Sequence, residues 1–239
     1  MSEACQPRLL IFGATGYTGR ALVALARTQG HETHAHLRPN SPNAARQVPS
    51  FKAIGATCHT VAWSPPTIAE LVRAVAPTHV FCLLGTTKKK TAAHGEAASY
   101  ASVDVGMTLM AVQAVADSST PARLIYLSSA GVGPRARGDY LKARWQVEST
   151  IHEQLSSWVI ARPSFISGPD RQESRPGERI GAVLSDGLLS VAGRLGLGAM
   201  RDQWSSLSAS QLAAGLLHHA MASGDDTRTV DAAQLRQPG

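Results

Sequence analysis

A glycine-rich loop near the start of the chain carries the clearest chemical signal. Gly13, Gly16 and Gly19 directly follow the apolar run of residues 8–12, which is typical of a buried strand, and they open a helical pattern. The first glycine suits a tight turn, the second lets backbone N–H groups approach a pyrophosphate, and the third allows close packing of helix on strand. The N-terminus of the helix adds partial positive charge for the phosphates. The loop therefore predicts a dinucleotide-binding site, and its other predicted contacts are Thr15, Tyr17 and Thr18.

The end of the second predicted strand bears on which dinucleotide is bound. An acidic side chain at this point would bind the ribose 2′-hydroxyl of NAD. Leu37 and Arg38 stand there instead, with no Asp or Glu nearby. A guanidinium can bind a 2′-phosphate through two parallel hydrogen bonds, and Arg20, just after the last loop glycine, is placed for a second contact. The sequence thus favours NADP(H), and the alternative is that both arginines are solvated surface residues.

Strand and helix patterns alternate along the first two thirds of the chain. Short apolar or β-rich runs predict six strands, at residues 8–12, 33–37, 57–62, 79–84, 123–127 and 158–161. Helical patterns lie between them, at residues 17–29, 65–75, 97–117 and 139–155. This alternation predicts an α/β fold, a doubly wound parallel sheet of the Rossmann type.

The alternation stops after Pro163. Glycine and proline are frequent at 168–177, and helical stretches follow near 178–197 and 207–222. We expect one domain over the whole chain, in which residues of about 163–205 form a small cap over the carboxyl edge of the sheet, where ligands bind in such folds.

Two more segments are predicted to meet the cofactor at that edge. Leu84 ends the fourth predicted strand and Gly85 and Thr86 follow it, so their backbone should lie against a ribose or phosphate. Pro163 follows the sixth strand and is expected to place Ser164 and Phe165 near the nicotinamide.

Longer segments resemble one family. Residues 13–20, GATGYTGR, with glycines spaced GxxGxxG, resemble the opening of atypical short-chain dehydrogenases. Residues 81–90, FCLLGTTKKK, together with 127–130, LSSA, and Tyr140, are similar to the Tat-interacting-protein-like oxidoreductases within that family. The most specific resemblance is carried by residues 168–178, GPDRQESRPGE. The resemblance implies an NADPH-binding Rossmann fold, in a branch whose natural substrates are poorly defined.

The resemblance also implies a catalytic group. In short-chain dehydrogenases a serine binds the substrate oxygen, a tyrosine is the general acid or base, and a lysine four residues later holds the nicotinamide ribose and lowers the tyrosine pKa. Ser129, with Ser128 as its neighbour, and Tyr140 stand at the matching positions, but the residue four beyond the tyrosine is Arg144. Arginine keeps the charge and can donate to ribose hydroxyls, yet it does not deprotonate and cannot relay protons. Lys142 lies on a different helix face and is a poor substitute.

Composition indicates which partners and sites are not expected. The net charge of +6 is spread along the chain, with one dense run at 88–90, so nucleic acid is not expected as a partner. The three cysteines have no CxxC spacing and the nine histidines no metal-ligand spacing, which predicts neither a disulfide framework nor a metal site. The chain shows no signal-peptide pattern and no apolar run of roughly 18 residues, so we expect a cytoplasmic protein without membrane contact.

Two functions remain open from the sequence. The first is an NADPH-dependent oxidoreductase acting on a small carbonyl or hydroxyl compound. The second is an NADPH-binding regulatory or scaffold protein, weak or inactive as an enzyme, whose cofactor controls a protein partner. The second function stays open because Arg144 stands where an active enzyme of the family would have lysine. The sequence leaves both a monomer and a homodimer open.

Overall fold

The architecture is an α/β sandwich around one parallel sheet. The structure, a computed structural model, describes residues 6–39, 41, 43–85, 100–164, 166, 206–224 and 226–236. The strands are β1 Arg8–Phe12, β2 Glu32–Leu37, β3 Thr57–Thr60, β4 His79–Cys82, β5 Arg123–Leu127, β6 Trp158–Arg162 and β7 Thr227–Asp231. The helices are α1 Tyr17–Thr28, α2 Ala44–Ala53, α3 Pro65–Val75, α4 Tyr100–Ala116, α5 Asp139–Gln154, α6 Ala209–Met221 and α7 Ala232–Arg236.

The strand order places a crevice at the middle of the sheet. The seven strands are parallel and lie in the order β3-β2-β1-β4-β5-β6-β7. The chain winds outward from β1 in one direction and from β4 in the other, so the switch point lies between these two strands. Ligands of doubly wound sheets bind in this crevice, beyond the carboxyl ends of the strands.

Apolar side chains cover both faces of the sheet. Along β1, Leu9 and Ile11 belong to a core cluster formed with α1 and α6, whereas Leu10 and Phe12 belong to a second cluster with α3, α4 and α5. All four side chains are fully buried. A strand that is buried on both faces is a continuous apolar run, and this is the pattern by which the sequence identified β1.

The predicted fold class is confirmed, with additions at the edges of the sheet. The sequence did not predict α2, β7 or α7. The α2 segment contains Pro49 and few large apolar residues, and β7 is an edge strand in which charged and apolar residues are mixed. The predicted third and fourth strands end two residues early, at Thr60 and Cys82, because the chain already turns into loops there.

Some of the predictions concern residues outside the described ranges. Thr86, Phe165 and most of the expected cap, residues 167–205, lie outside the described residues. Among the described helices, none is both long enough and apolar enough to cross a membrane.

Candidate functional site

The loop between β1 and α1 is shaped by close backbone contacts. Gly13 has a φ of +81°, and a Cβ there would lie 2.6 Å from the carbonyl oxygen of Leu83 in the loop after β4. A Cβ on Gly19 would overlap the carbonyl oxygen of Gly13 and lie 2.8 Å from Cα of Ala14. Any side chain at either position would push apart two segments of backbone, so the loop can keep this tight form only with glycine.

The N-terminus of α1 is open to an anion. Gly16 is its N-cap, no side chain caps the first turn, and that turn contains no acidic residue. No acidic side chain of its own first turn therefore neutralises the partial positive charge of the helix end, which suits a bound phosphate.

Arg20 and Arg38 stand at the same edge of the sheet. Arg20 is half-buried in the first turn of α1, and Arg38 is exposed one residue beyond β2. The carboxylate of β2 is that of Glu32, at the opposite end of the strand, where it accepts hydrogen bonds from Arg8 and pairs with His34. Among the described residues 33–39, at and just beyond the carboxyl end of β2, there is no acidic side chain of the kind that a 2′-hydroxyl would need.

The guanidinium of Arg144 lies at the carboxyl ends of β4 and β5. Its Nη1 donates to the Tyr126 hydroxyl and to the carbonyl oxygen of Leu127, both at 2.9 Å, and its Nη2 donates to the carbonyl oxygen of Leu84 at 3.4 Å. Only 8% of the residue is exposed. A Cβ built on Gly85 would be 3.7 Å from Nη2, so the guanidinium borders the loop expected to carry the cofactor.

Burial and charge act on this group together. Burial raises the pKa of the Tyr126 phenol to about 12, although the Arg144 charge opposes that change. Burial would lower the pKa of Arg144, but the nearby phenols of Tyr126 and Tyr140, with a contribution from Asp104, outweigh it and raise that pKa above its ordinary value. Arg144 is therefore a permanent cation at this site and not a proton donor.

Tyr140 contacts this cation, and Ser129 lies in the loop after β5. The Arg144 Cζ lies 5.3 Å from the centre of the Tyr140 ring, a cation–π contact, and 46% of Tyr140 is exposed. The Ser129 hydroxyl donates to the carbonyl oxygen of Ala130 at 3.3 Å. Within the described part of the chain no hydrogen bond joins Ser129 to Tyr140. To donate to a ligand, the Ser129 hydroxyl would have to leave its local bond to Ala130.

Ser128 takes part in a different network. Its hydroxyl donates to Oε1 of Glu148, a fully buried carboxylate on α5. Arg162, the last residue of β6, donates to both oxygens of the same carboxylate, from Nε at 3.1 Å and from Nη2. Glu148 thus joins the ends of β5 and β6 to α5. Between the two serines, Ser128 is held by a buried carboxylate, whereas Ser129 makes only a local bond to the carbonyl oxygen of Ala130.

Backbone hydrogen bonds bring Pro163 to the serine loop. The amide of Ala130 donates to the carbonyl oxygen of Pro163 at 2.9 Å, and the amide of Ser128 donates to that of Ala161 at 2.8 Å. The segments after β5 and β6 therefore continue side by side past the sheet. Together with the Gly13–Leu83 and Leu84–Arg144 contacts, they make one continuous edge from the glycine loop to Pro163.

Comparison with known proteins shows which family the chain belongs to. The profile of the NAD dependent epimerase/dehydratase family matches residues 9–191, more than half of the chain. The chain belongs to this family. It is also 26% identical over 204 residues, 82% of this chain and 78% of the relative, to Protein FMP52, mitochondrial, of Coccidioides immitis (strain RS).

Solved structures agree with an epimerase/dehydratase fold. A candidate epimerase from Burkholderia cenocepacia J2315 superposes with a TM-score of 0.63 at 19% identity, over 94% of this chain and 75% of that one. The Bordetella bronchiseptica enzyme WbmG, solved in complex with NAD, gives a TM-score of 0.67 at 15% identity, over 97% and 74%. These similarities show the fold alone.

Three interacting residues at this edge were not identified from the sequence: Tyr126, Glu148 and Arg162. A spacing signal was present. Tyr126 in β5 and Ser128, one residue beyond the strand, lie two apart, a separation of roughly 6.6 Å in extended chain, and Arg144 and Glu148 lie four apart on one helix face, roughly 6 Å. The two spacings match, so Tyr126 can pair with Arg144 while Ser128 pairs with Glu148, one turn further along α5.

Proposed function

We propose that the chain is an NADPH-dependent oxidoreductase acting on a small carbonyl or hydroxyl compound. The observation that carries the proposal is the Tyr140–Arg144 pair, in which Arg144 lies beside Gly85 at the crevice and the Tyr140 side chain is exposed. When bound, the nicotinamide supplies or accepts the hydride. Ser129 then binds the substrate oxygen, and Tyr140 donates or accepts the proton.

The glycine loop fits a dinucleotide. Its tight turn leaves no room for a Cβ at Gly13 or Gly19, and the end of α1 presents uncapped amides where a pyrophosphate would lie. Thr15, Tyr17 and Thr18 are the other proposed contacts of this loop. Leu84 and Gly85 would meet the cofactor after β4, and Pro163, whose carbonyl oxygen accepts from the amide of Ala130, would do so after β6. Arg38 and Arg20 would hold the 2′-phosphate that distinguishes NADP from NAD.

Arg144 would act as an electrostatic partner rather than as a proton relay. It faces the Tyr140 ring and keeps its charge at every accessible pH. The proton for Tyr140 must then pass through solvent, which its exposed side chain permits.

A second function is favoured by the same residue. Arg144 already donates to three protein acceptors, which leaves fewer donors for the cofactor than a free cation would have. A chain that binds NADPH without turning it over, and signals its occupancy to a protein partner, would tolerate this. Under either function, three predictions from the sequence are kept: the affiliation with the Tat-interacting-protein-like branch, a cap formed by residues of about 163–205, and a cytoplasmic location.

The first test is calorimetric titration with NADPH and with NADH. We expect NADPH to bind more tightly, and Arg38→Ala to remove most of the preference, on the order of 10- to 100-fold, because one charge-assisted contact is lost. Arg46→Ala, at an exposed arginine of α2, is the matched control and should leave both affinities unchanged. If neither nucleotide binds, both candidate functions are wrong.

Turnover separates the two functions. Purified protein is offered NADPH with a panel of small aldehydes and ketones, and loss of NADPH absorbance is followed for wild type and Tyr140→Phe. Turnover that disappears in Tyr140→Phe while NADPH affinity is kept supports the oxidoreductase. Tight NADPH binding without turnover of any compound favours the regulatory protein.

A further inference from the structure

Tyr126 has a buried hydroxyl for which the proposed mechanism has no use. It is the last but one residue of β5, it is 1% exposed, and its ring packs in the core beneath α4 and α5. Its hydroxyl accepts a hydrogen bond from Nη1 of Arg144 at 2.9 Å. A phenylalanine would fill the same apolar space, so the hydroxyl serves the guanidinium and not the packing.

The Tyr126 hydroxyl is one of three acceptors that fix the plane of the guanidinium. Both protons of Nη1 are taken, one by Tyr126 and one by the carbonyl oxygen of Leu127, and Nη2 reaches the carbonyl oxygen of Leu84. Of the five N–H donors of arginine, the N–H of Nε and one on Nη2 remain. With its plane held, the guanidinium lies between two aromatic rings, 5.5 Å from that of Tyr126 and 5.3 Å from that of Tyr140.

We propose that Tyr126 is a positioning residue, whose buried hydroxyl locks the Arg144 guanidinium at the ends of β4 and β5 and so determines which of its donors point to the cofactor. The inference rests on the proposed NADPH site. It follows from the low solvent access of the site, where a guanidinium without its acceptors would turn to find others. In the absence of the Tyr126 hydroxyl, one Nη1 proton loses its acceptor and only the carbonyl oxygens of Leu127 and Leu84 still restrain the plane.

The direct test of the lock is the mobility of the guanidinium. In ¹⁵N-labelled, ligand-free protein, slow rotation about the guanidinium bonds of Arg144 should give separate Nη resonances, assigned by their absence in Arg144→Met. In Tyr126→Phe we expect these resonances to merge or broaden, because one of three restraints is gone. Unchanged Nη resonances in Tyr126→Phe would overturn the proposal without touching the question of function.

The functional test is a double-mutant cycle on NADPH affinity. We expect Tyr126→Phe to weaken NADPH binding about 3- to 10-fold in the wild-type background and to have no effect when Arg144 is already methionine. A purely structural hydroxyl would lower Tm and leave the affinity unchanged, or would change it equally in both backgrounds, and either result would overturn the inference.

A matched control lies at the other edge of the sheet. The Thr78 hydroxyl accepts from the amide of Arg8 at 2.9 Å and is part-buried. Thr78→Val should lower Tm and leave both NADPH affinity and the Arg144 resonances unchanged. If wild type binds NADPH and the cycle shows no coupling, the inference on Tyr126 is wrong while the proposed function stands. If wild type binds no NADPH, both are wrong.

Discussion

The two halves of the carboxyl edge are built in different ways. The half formed by β1, α1 and β2 is shaped by backbone contacts, with Gly13 against the loop after β4 and Gly19 against Gly13, and its helix end has no side-chain cap. The half formed by β5, α5 and β6 is held by buried charges, with Arg144 on Tyr126 and two carbonyls, and Glu148 on Ser128 and Arg162. The first half is suited to a ligand common to the family, whereas the second can vary its chemistry through paired side chains.

The first half is tested by adding one methyl group. Gly19→Ala would place a Cβ against the backbone of Gly13 and Ala14, which cannot move without opening the loop. We expect a loss in the free energy of unfolding on the order of 5 kcal/mol, or failure to fold, and no NADPH binding in any folded fraction. Urea denaturation and calorimetry measure these two effects.

The control for that prediction is another glycine. Gly106, in α4, has no neighbouring atom within 4 Å of an added Cβ. Gly106→Ala should be neutral or stabilise by up to about 1 kcal/mol, because alanine has the higher helix propensity. A folded Gly19→Ala variant that binds NADPH like wild type would show that backbone proximity does not shape this half.

The second half is tested at its buried carboxylate. Glu148→Gln keeps the side-chain shape but leaves the Arg162 guanidinium without its counter-charge. Breaking a buried pair in this way typically costs about 3–5 kcal/mol, and we expect that loss here. Because Glu148 positions the serine loop and not the glycine loop, turnover should fall more than NADPH affinity does.

Glu153 provides the matched control. It is an exposed glutamate near the end of the same helix, so Glu153→Gln should change the free energy of unfolding by less than about 0.5 kcal/mol. Equal losses for the two glutamine variants would mean that the buried network contributes nothing, and the contrast between the halves would disappear.

The same contrast explains what could be predicted from the sequence. The glycine loop, β1 and the parallel sheet follow from local patterns, because a buried strand and a tight turn each leave a signature within a few residues. Arg144 was found by its spacing from Tyr140, but its partners were not, since Tyr126 lies 18 residues away in the chain. Glu148 and Arg162 pair across 14 residues, and only the packing of α5 on the sheet brings them together.

The pH dependence of unfolding is a third test, and it concerns a buried histidine in β2, in the glycine half. His36, near the end of β2, is 3% exposed and lies edge-on to Phe12 and Trp63, while its Nε2 bonds to the carbonyl oxygen of Val61. Burial lowers the pKa of His36 to about 4, and the hydrogen bond to Val61 opposes that change. The unfolded chain binds this proton near pH 6.5, so the unfolded state holds more protons between pH 6.5 and 4, and stability falls as pH falls through that window.

The loss from this histidine alone should be about 3 kcal/mol by pH 4. Burial also lowers the pKa of His79 to about 4, so His36→Phe should flatten the pH dependence of unfolding without abolishing it. Urea midpoints measured from pH 7 to pH 4.5 for wild type and variant give the comparison. Parallel curves for the two proteins would contradict a buried, neutral His36.

The smallest expected effect is at the start of α6, and it tests whether the stability of this helix changes NADPH affinity at the glycine loop. The helix α6 packs on α1 and begins with a capping box, in which the Ser208 hydroxyl accepts from the Gln211 amide and the Gln211 side chain accepts from the Ser208 amide. Ser208→Ala should cost about 1 kcal/mol of stability and Ser208→Gly only a few tenths, because glycine caps nearly as well. NADPH affinity should be the same in both, since the loop is shaped by its own backbone contacts. If affinity followed stability across the two variants, the glycine half would also depend on distant side chains, and the difference between the halves would be one of degree.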